Sequence, residues 1–584
     1  MTQTCDHMIK FFRHPLLALL LLTGMHATAQ KPVYLLDLFY QALSLTAEET
    51  LPNTEYGPEL LLHDYSGEVI SPAAIIARYP DAAKYLVDDS VFVIRAKFEL
   101  NGTVPDLNAW GDSRIRIENF RFEQDVLLNL KLQSTVADEV FYSSLLNVRH
   151  CVFNGLLALW YNNLVMQFED NTIDQMAIAD ESVTSPSVRI WRNTIGLLQL
   201  WAINVREISI TGNAIGQLSI YDIACTNLFV RNNRFAYRDG MYTKRPTMLA
   251  RQEVQETTDV SALSPDSLKL LMQLKDRTVF HIKGNDRAVN ALFVSGNTFR
   301  SEGVSVPAIF AQRSLTMELR DNDFEVPLIL ASNVSHRFVL EENRLTAVNM
   351  GVAMPSTPQN YVSVDWPDLK GKLFYQRDMG DLPYHAKTDA ELADQKRFFG
   401  LMGGYSRLLD VYKSYGNLDD ANDVFLDMKA LHLHRSEYMY RTHGGTTNFF
   451  KLNLGRLLSV YTRHGTDPAQ AMTASLWIII FFSIIYFFFP SDWDVSSKSK
   501  LLADFKTLTE KNKAGYVRPF FSLLKGLFYS FFNAITLSVN SFVTLGFGTI
   551  PTHGLAKYIC IFQGFLGWFL LSIFIVALIN QILI

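Results

Sequence analysis

The five residues Thr544, Leu545, Gly546, Phe547 and Gly548 have types and spacing that could hold a bare cation. A ring of backbone carbonyls can replace the water shell of an ion in transit. Turning successive carbonyls toward one axis needs backbone angles that side chains disfavour, and alternating glycines permit them. Gly546 and Gly548 alternate here, and the Thr544 hydroxyl can add a further oxygen ligand. One such loop cannot encircle an ion, so the chemistry asks for several copies around an axis. The plainer reading of the same glycines is close packing between membrane helices, where small residues are common.

The elements that would position these residues flank them. Residues 471–489 are apolar and long enough for a first span, and residues 555–582 supply a second. An apolar run at 529–543 precedes the five residues directly and would be a short pore helix. Filter, preceding run and flanking spans together resemble the potassium-channel superfamily, whose filter usually reads TVGYG or TVGFG. Residues 560–571, Cys-Ile-Phe-Gln-Gly-Phe-Leu-Gly-Trp-Phe-Leu-Leu, resemble the inner helix of two-transmembrane bacterial ion channels. A Glu-Gly pair is common there, and Gln563-Gly564 stands at that place. The family often has Asp after the filter, where this chain has Thr549. The resemblance implies a homotetramer that conducts potassium or a broader set of cations. Thr544 to Gly548 would form its selectivity filter. Gln563, Gly564 and Gly567 would line or gate the path, with Gln563 bracing the pore loop. No resident cofactor or metal is implied beyond the permeant potassium at Thr544.

The rest of the chain bounds this reading. At 584 residues it should hold several domains. Charged residues make up 19% and apolar ones 48%. The net charge is −5, which argues against a nucleic-acid role. Residues 1–29 read as a secretory signal, with Lys10 and Arg13 before a short apolar core and Ala27-Thr28-Ala29 as cleavage site. Cys5, Cys151, Cys225 and Cys560 have no metal-like spacing and receive no redox role.

From about 111 to 350 an internal repeat reads apolar-x-apolar-x-x-Asn-x-apolar. Its slots are Asn171, Asn193, Asn213, Asn233, Asn297, Asn322 and Asn343, with Cys151 and Phe120 in two earlier copies. Alternating apolar residues make a short strand with one face inward. Asn tolerates a left-handed corner, and stacked amides can bond along the array. The expectation is a right-handed parallel β-helix or solenoid, capped by residues 30–110 and broken by an insertion at about 236–285. Folds of this kind host polysaccharide-cleaving enzymes. The charged residues near the corners, Arg192, Arg231, Arg234 and Asp323, show no catalytic spacing, so no catalytic residue and no enzyme activity are assigned.

Residues 351–388 carry Pro and Gly and read as a linker. Residues 389–466 turn helical, with Ser414–Ala421 resembling the turn of a TPR-type pair. His432, His434 and His443 read as surface residues. Residues 467–584 form the pore domain. The stretch between the spans holds Lys498, Lys500, Lys506, Lys511, Lys513 and Arg518, which faces the cytoplasm by the positive-inside rule. With a cleaved signal, this puts the repeats outside the cytoplasm and dips the loop from the cytoplasmic side. That inverted arrangement resembles ionotropic glutamate-receptor pores, whereas conventional two-span channels dip the loop from outside.

The sequence thus points to a multidomain inner-membrane protein: an extracytoplasmic β-solenoid sensor or scaffold, a TPR-like block, then a two-transmembrane pore domain with a re-entrant loop. Its partners are itself as a homotetramer, the lipid bilayer, and an unidentified ligand of the solenoid. The competing reading is a β-helix that binds or degrades polysaccharide, with the C-terminal spans as anchor only.

Overall fold

The computed structural model describes residues 34–49, 60–61, 69–105, 114–133, 145–160, 165–179, 184–238, 278–284, 288–354, 360–377, 382–489, 498–509, 517–544 and 554–583. The expected signal at 1–29 and the filter residues 545–548 lie outside them. The chain divides into two units, Met1–His385 and Ala386–Ile584.

The first unit is built from two sheets, one of 18 strands and one of 11, and the 11-stranded sheet is parallel throughout. Its most regular part is β1 (Thr184–Trp191), β2 (Thr194–Trp201), β3 (Asn204–Thr211), β4 (Ala214–Tyr221) and β5 (Ala224–Arg231), each of 8 residues. Strands alternate between the sheets, so each period gives one strand to each. The register keeps like on like: Ile190 lies beside Ile210 and Ile210 beside Val230, while Ile195 lies beside Ile215. These residues are all buried, and stacked rings extend the core, with Phe235, Phe299 and Phe324 at centroid spacings of 4.7 and 4.5 Å.

The Asn slots form one continuous ladder. The backbone N–H of Asn193 donates to Asn213 Oδ1 at 2.8 Å, and that of Asn213 donates to Asn233 Oδ1 at 2.9 Å. Asn233 continues to Asn297, Asn297 to Asn322 and Asn322 to Asn343. Cys151 N–H joins the near end by donating to Asn171 Oδ1. The bond from Asn233 to Asn297 crosses the expected insertion, so the inserted residues leave the stacking register intact.

One expectation is corrected at the corners. The left-handed residue is not the Asn but its predecessor: Asp170, Arg192, Gly212, Asn232, Gly296, Asp321 and Glu342 all have φ between +52° and +68°. The Asn itself is buried, where its amide can serve its neighbours. None of these predecessors is buried.

Two boundaries also move. Parallel pairing starts before residue 111, because Phe98–Pro105 pairs with Val126–Gln133 and Val91–Ile94 pairs with Phe120–Phe122. Helix α1 (Leu35–Leu43) closes that end, with Phe39 fully buried against Phe98 and Phe120. Residues 351–388 are more than a linker: Tyr361–Val364 adds the last strand to the 11-stranded sheet, and Trp366 is 1% exposed. A buried Trp and a paired strand bring core energy that a linker lacks.

The second unit is helical. Helix α2 (Gln395–Ser414) is N-capped by Asp394, and α3 (Leu418–His443) by Asn417 after Gly416 at φ +72°. His432, His434 and His443 are exposed. Helix α4 (Thr446–Thr462) leads through left-handed Arg463 and His464 to α5 (Pro468–Phe487). Helices α6 (Lys498–Thr509), α7 (Val517–Thr544) and α8 (Leu555–Leu583) follow. Three of them, α5, α7 over Phe520–Thr544 and α8 over Leu555–Ile579, are long and apolar enough to cross a membrane. That is compatible with a membrane location. The run expected as a short pore helix at 529–543 is the C-terminal part of the 28-residue α7.

Candidate functional site

Among the described residues, polar groups are brought together inside the apolar helices where α5, α7 and α8 meet. Gln563 of α8 is fully buried. Tyr486 Oη of α5 donates to Gln563 Oε1 at 2.7 Å. Gln563 Nε2 donates to Ser538 Oγ of α7 at 2.7 Å and to the Ser538 carbonyl at 3.1 Å. Ser538 Oγ donates to the Ile479 carbonyl of α5 at 2.8 Å, and Ser483 Oγ reaches the same oxygen at 2.6 Å. Around this knot pack Phe482, Tyr486, Ala534, Leu537 and Cys560.

The sequence builds these faces with small residues. On α7 the buried positions include Ser530, Ala534, Ser538 and Ser541; on α8 they include Ala556, Cys560, Gln563, Leu570 and Ala577, with Gly564 and Gly567 on the same stripe. The spacing of three and four follows the helical period. Gly567 is where the helices come closest: a Cβ there would stand 2.2 Å from the Phe542 carbonyl oxygen. Opposite faces carry large exposed side chains, among them Trp477, Phe481, Phe528, Phe532, Phe562, Phe565 and Trp568.

The pairings also fix direction. Ser538 meets Gln563 and Phe542 meets Gly567, so four residues along α7 match four residues the same way along α8. Helices α7 and α8 are therefore parallel. Helix α5 opposes both, because Ala471 near its start packs with Phe542 and Leu570, while Tyr486 near its end meets Gln563. Thr544 ends α7 level with about Phe569 of α8. The helical rise is about 1.5 Å per residue. Thr544 thus stands roughly 20 Å along the axis from Leu555, where α8 begins. The buried residues of α7 begin at Ser530; among Phe520–Tyr529 no residue is buried.

The structure thus treats the expected site residues differently. Thr544 is exposed at the end of α7, with Oγ1 bonded back to the Asn540 carbonyl. Leu545, Gly546, Phe547 and Gly548 lie outside the described residues. Gln563, Gly564 and Gly567, expected to line or gate a path, are all buried in helix contacts of this chain. The physical reason is that an amide among apolar helices must find partners, and Tyr486 and Ser538 supply them. Sequence reasoning missed Ser538 and Tyr486; the small-residue stripe on 530–541 was the available signal.

In the first unit the charged residues pair sideways between neighbouring periods. Arg192 bonds Asp170 at 2.9 Å, which holds that carboxyl below its usual range, and Arg344 bonds Asp323 at 2.7 Å. Arg231 stacks on Phe229 at 4.3 Å, and Arg234 is exposed. Burial pushes the Cys151 thiol up to about 12 and Cys225 likewise, so both are unreactive at neutral pH. Among the described residues no three His, Cys, Asp or Glu come together in a way that could hold a metal ion.

No protein-family model matches the chain, and neither a curated protein nor a solved structure matches it.

Proposed function

We propose that the chain is the subunit of a homotetrameric, potassium-permeable cation channel, with Thr544 to Gly548 as its selectivity filter. The observation that carries this reading is the parallel run of α7 and α8. Helices that are consecutive in sequence and parallel in space oblige the chain to double back between them. A simple two-helix anchor would instead be an antiparallel hairpin. The return, roughly 20 Å by helical rise, is within reach of the residues between Thr544 and Leu555 at about 3.3 Å each. A loop making this return could set successive carbonyls along an axis. Facing α7 and α8 from outside, α5 would be the outer span. The exposed apolar faces would meet lipid and the neighbouring subunits.

The first unit is then a β-solenoid, supported by the alternating sheets and the Asn ladder, and it serves as sensor or scaffold. The TPR-like helices link it to the pore domain in sequence. A ligand of the solenoid would act by favouring one pore state. The location is the inner membrane, with the solenoid on the extracytoplasmic side. The anchored polysaccharide enzyme has no specific observation in its favour.

Purified protein in liposomes with opposed potassium and sodium gradients tests the channel. Potassium flux that vanishes in Gly546→Asp is the expected result. Absence of flux in the unaltered protein refutes the channel and leaves an anchored solenoid.

A further inference from the structure

We infer that Gln563 is a positioning residue that sets the depth and rotation of α7, and thereby where Thr544 stands. The inference rests on the channel reading above and adds to it a specific device.

The hydrogen bonds form one directional chain. It begins on α5 with the Tyr486 hydroxyl, passes through the Gln563 amide on α8 and the Ser538 hydroxyl on α7, and returns to α5 at the Ile479 carbonyl. Each member donates onward, so the order of donors is fixed. An amide is the one uncharged side chain here that can accept from Tyr486 and donate twice to Ser538. Glutamate when ionised has no donor, leucine has neither function, and asparagine is shorter by a methylene. Burial makes the match consequential, because no water replaces a missing partner.

Geometry makes the chain a device for alignment. A slide of α7 by one residue moves Ser538 by the helical rise, about 1.5 Å. Applied across a bond of 2.7 Å, that lengthens the contact to about 3.1 Å and tilts it by roughly 30° from its present line, which weakens it. Rotation is held because Ser538 bonds through both its hydroxyl and its carbonyl. The lateral distance is set independently one turn on, where Gly567 meets Phe542. The clasp opens and closes on α5, whose first turns are tied to α4 by Tyr461 Oη and Ser475 Oγ at 2.8 Å. Movement of α4 can therefore reach α7 through hydrogen bonds as well as through packing.

The test is single-channel recording of the full chain in planar bilayers, with tetramer content checked by size exclusion. Gln563→Leu should keep the tetramer but change mean open time about tenfold, within the range of ordinary conformational couplings, and lower the potassium-to-sodium permeability ratio. Gln563→Glu should do the same above the pH at which its carboxyl ionises and should recover below it, a pH response absent from the leucine variant. Tyr486→Phe added to Gln563→Leu should change dwell times no further, since both break one chain. Unaltered dwell times and permeability in an intact Gln563→Leu tetramer would overturn the inference, as would independent addition of the two effects. If Gln563→Leu fails to assemble, Ser538→Ala, which removes one hydroxyl, is judged by the same readouts. Current in the unaltered protein with unmoved variants sinks the clasp alone; no current in the unaltered protein sinks the channel reading and the clasp with it.

Discussion

The close approach at Gly567 allows a prediction worked from distances. In Gly567→Ala the new Cβ would stand 2.2 Å from the Phe542 carbonyl oxygen, against a normal contact of 3.4 Å or more. Backbone, not a flexible side chain, is on the other side, so α7 and α8 must part by roughly 1 Å. One turn away, the bond from Gln563 to Ser538 is 2.7 Å long. The same parting would stretch it to about 3.7 Å, where it ceases to be a hydrogen bond. Overpacking costs about 1–3 kcal/mol, and the lost bond about 1 kcal/mol more. Alanine returns about 1 kcal/mol of helix propensity. The net expectation is destabilisation of about 1–3 kcal/mol, with Thr544 displaced and potassium flux reduced. Thermal unfolding in detergent and flux in liposomes measure the two arms. A Gly567→Ala protein that unfolds and conducts like its parent would refute the parallel contact and the reasoning built on it.

Other outcomes follow from the same coordinates. Gly403→Ala in α2, where a Cβ meets nothing within 4 Å, should be neutral or stabilise by up to about 1 kcal/mol in the same unfolding assay. Asn213→Val should destabilise the first unit by at least about 2 kcal/mol, because Asn193 and Ile190 lose buried partners at about 1–3 kcal/mol each and Thr211 a part-buried one. Fluorescence of Trp191 and Trp201 during urea unfolding reads it. Burial lowers the His281 imidazole to about 4, from about 6.5 in the unfolded chain. The unfolded state therefore takes up the proton first, and stability should fall as pH drops from 6.5 to 4, by on the order of 3 kcal/mol. His281→Gln should flatten that part of the pH–stability curve.

The first unit shows which physics is written in sequence. Strand alternation and the Asn positions are local patterns, so Asn171 to Asn343 can be placed at once, and the structure ladders them. The role of each corner residue is not local. The pattern alone gives Asn193 the left-handed angle, yet Arg192 takes it, because the ladder needs the Asn amide turned inward. The corner predecessor is Asp, Asn or Gly in five of seven slots, types that favour positive φ, but Arg192 and Glu342 break the pattern. The same holds for Trp366 and Tyr361–Val364: a Pro- and Gly-bearing stretch hides one buried ring and one paired strand.

In the second unit, length and hydropathy mark α5 and α8 to within a few residues, but direction of packing has no periodic signature. Whether α7 lies along α8 or against it depends on which residue meets which, and that information sits in single contacts. Gln563 illustrates the point. Its polarity within an apolar run marks it as constrained, since a lone amide there is costly. Its partners cannot be named from sequence, because Tyr486 and Ser538 are ordinary residues for membrane helices. Only their convergence distinguishes them: both lie on buried faces, and both reach the one amide that α8 places between them. Taken with Phe542 against Gly567, that contact shows α7 parallel to α8, and from the parallel run comes the need for the chain to turn back beyond Thr544.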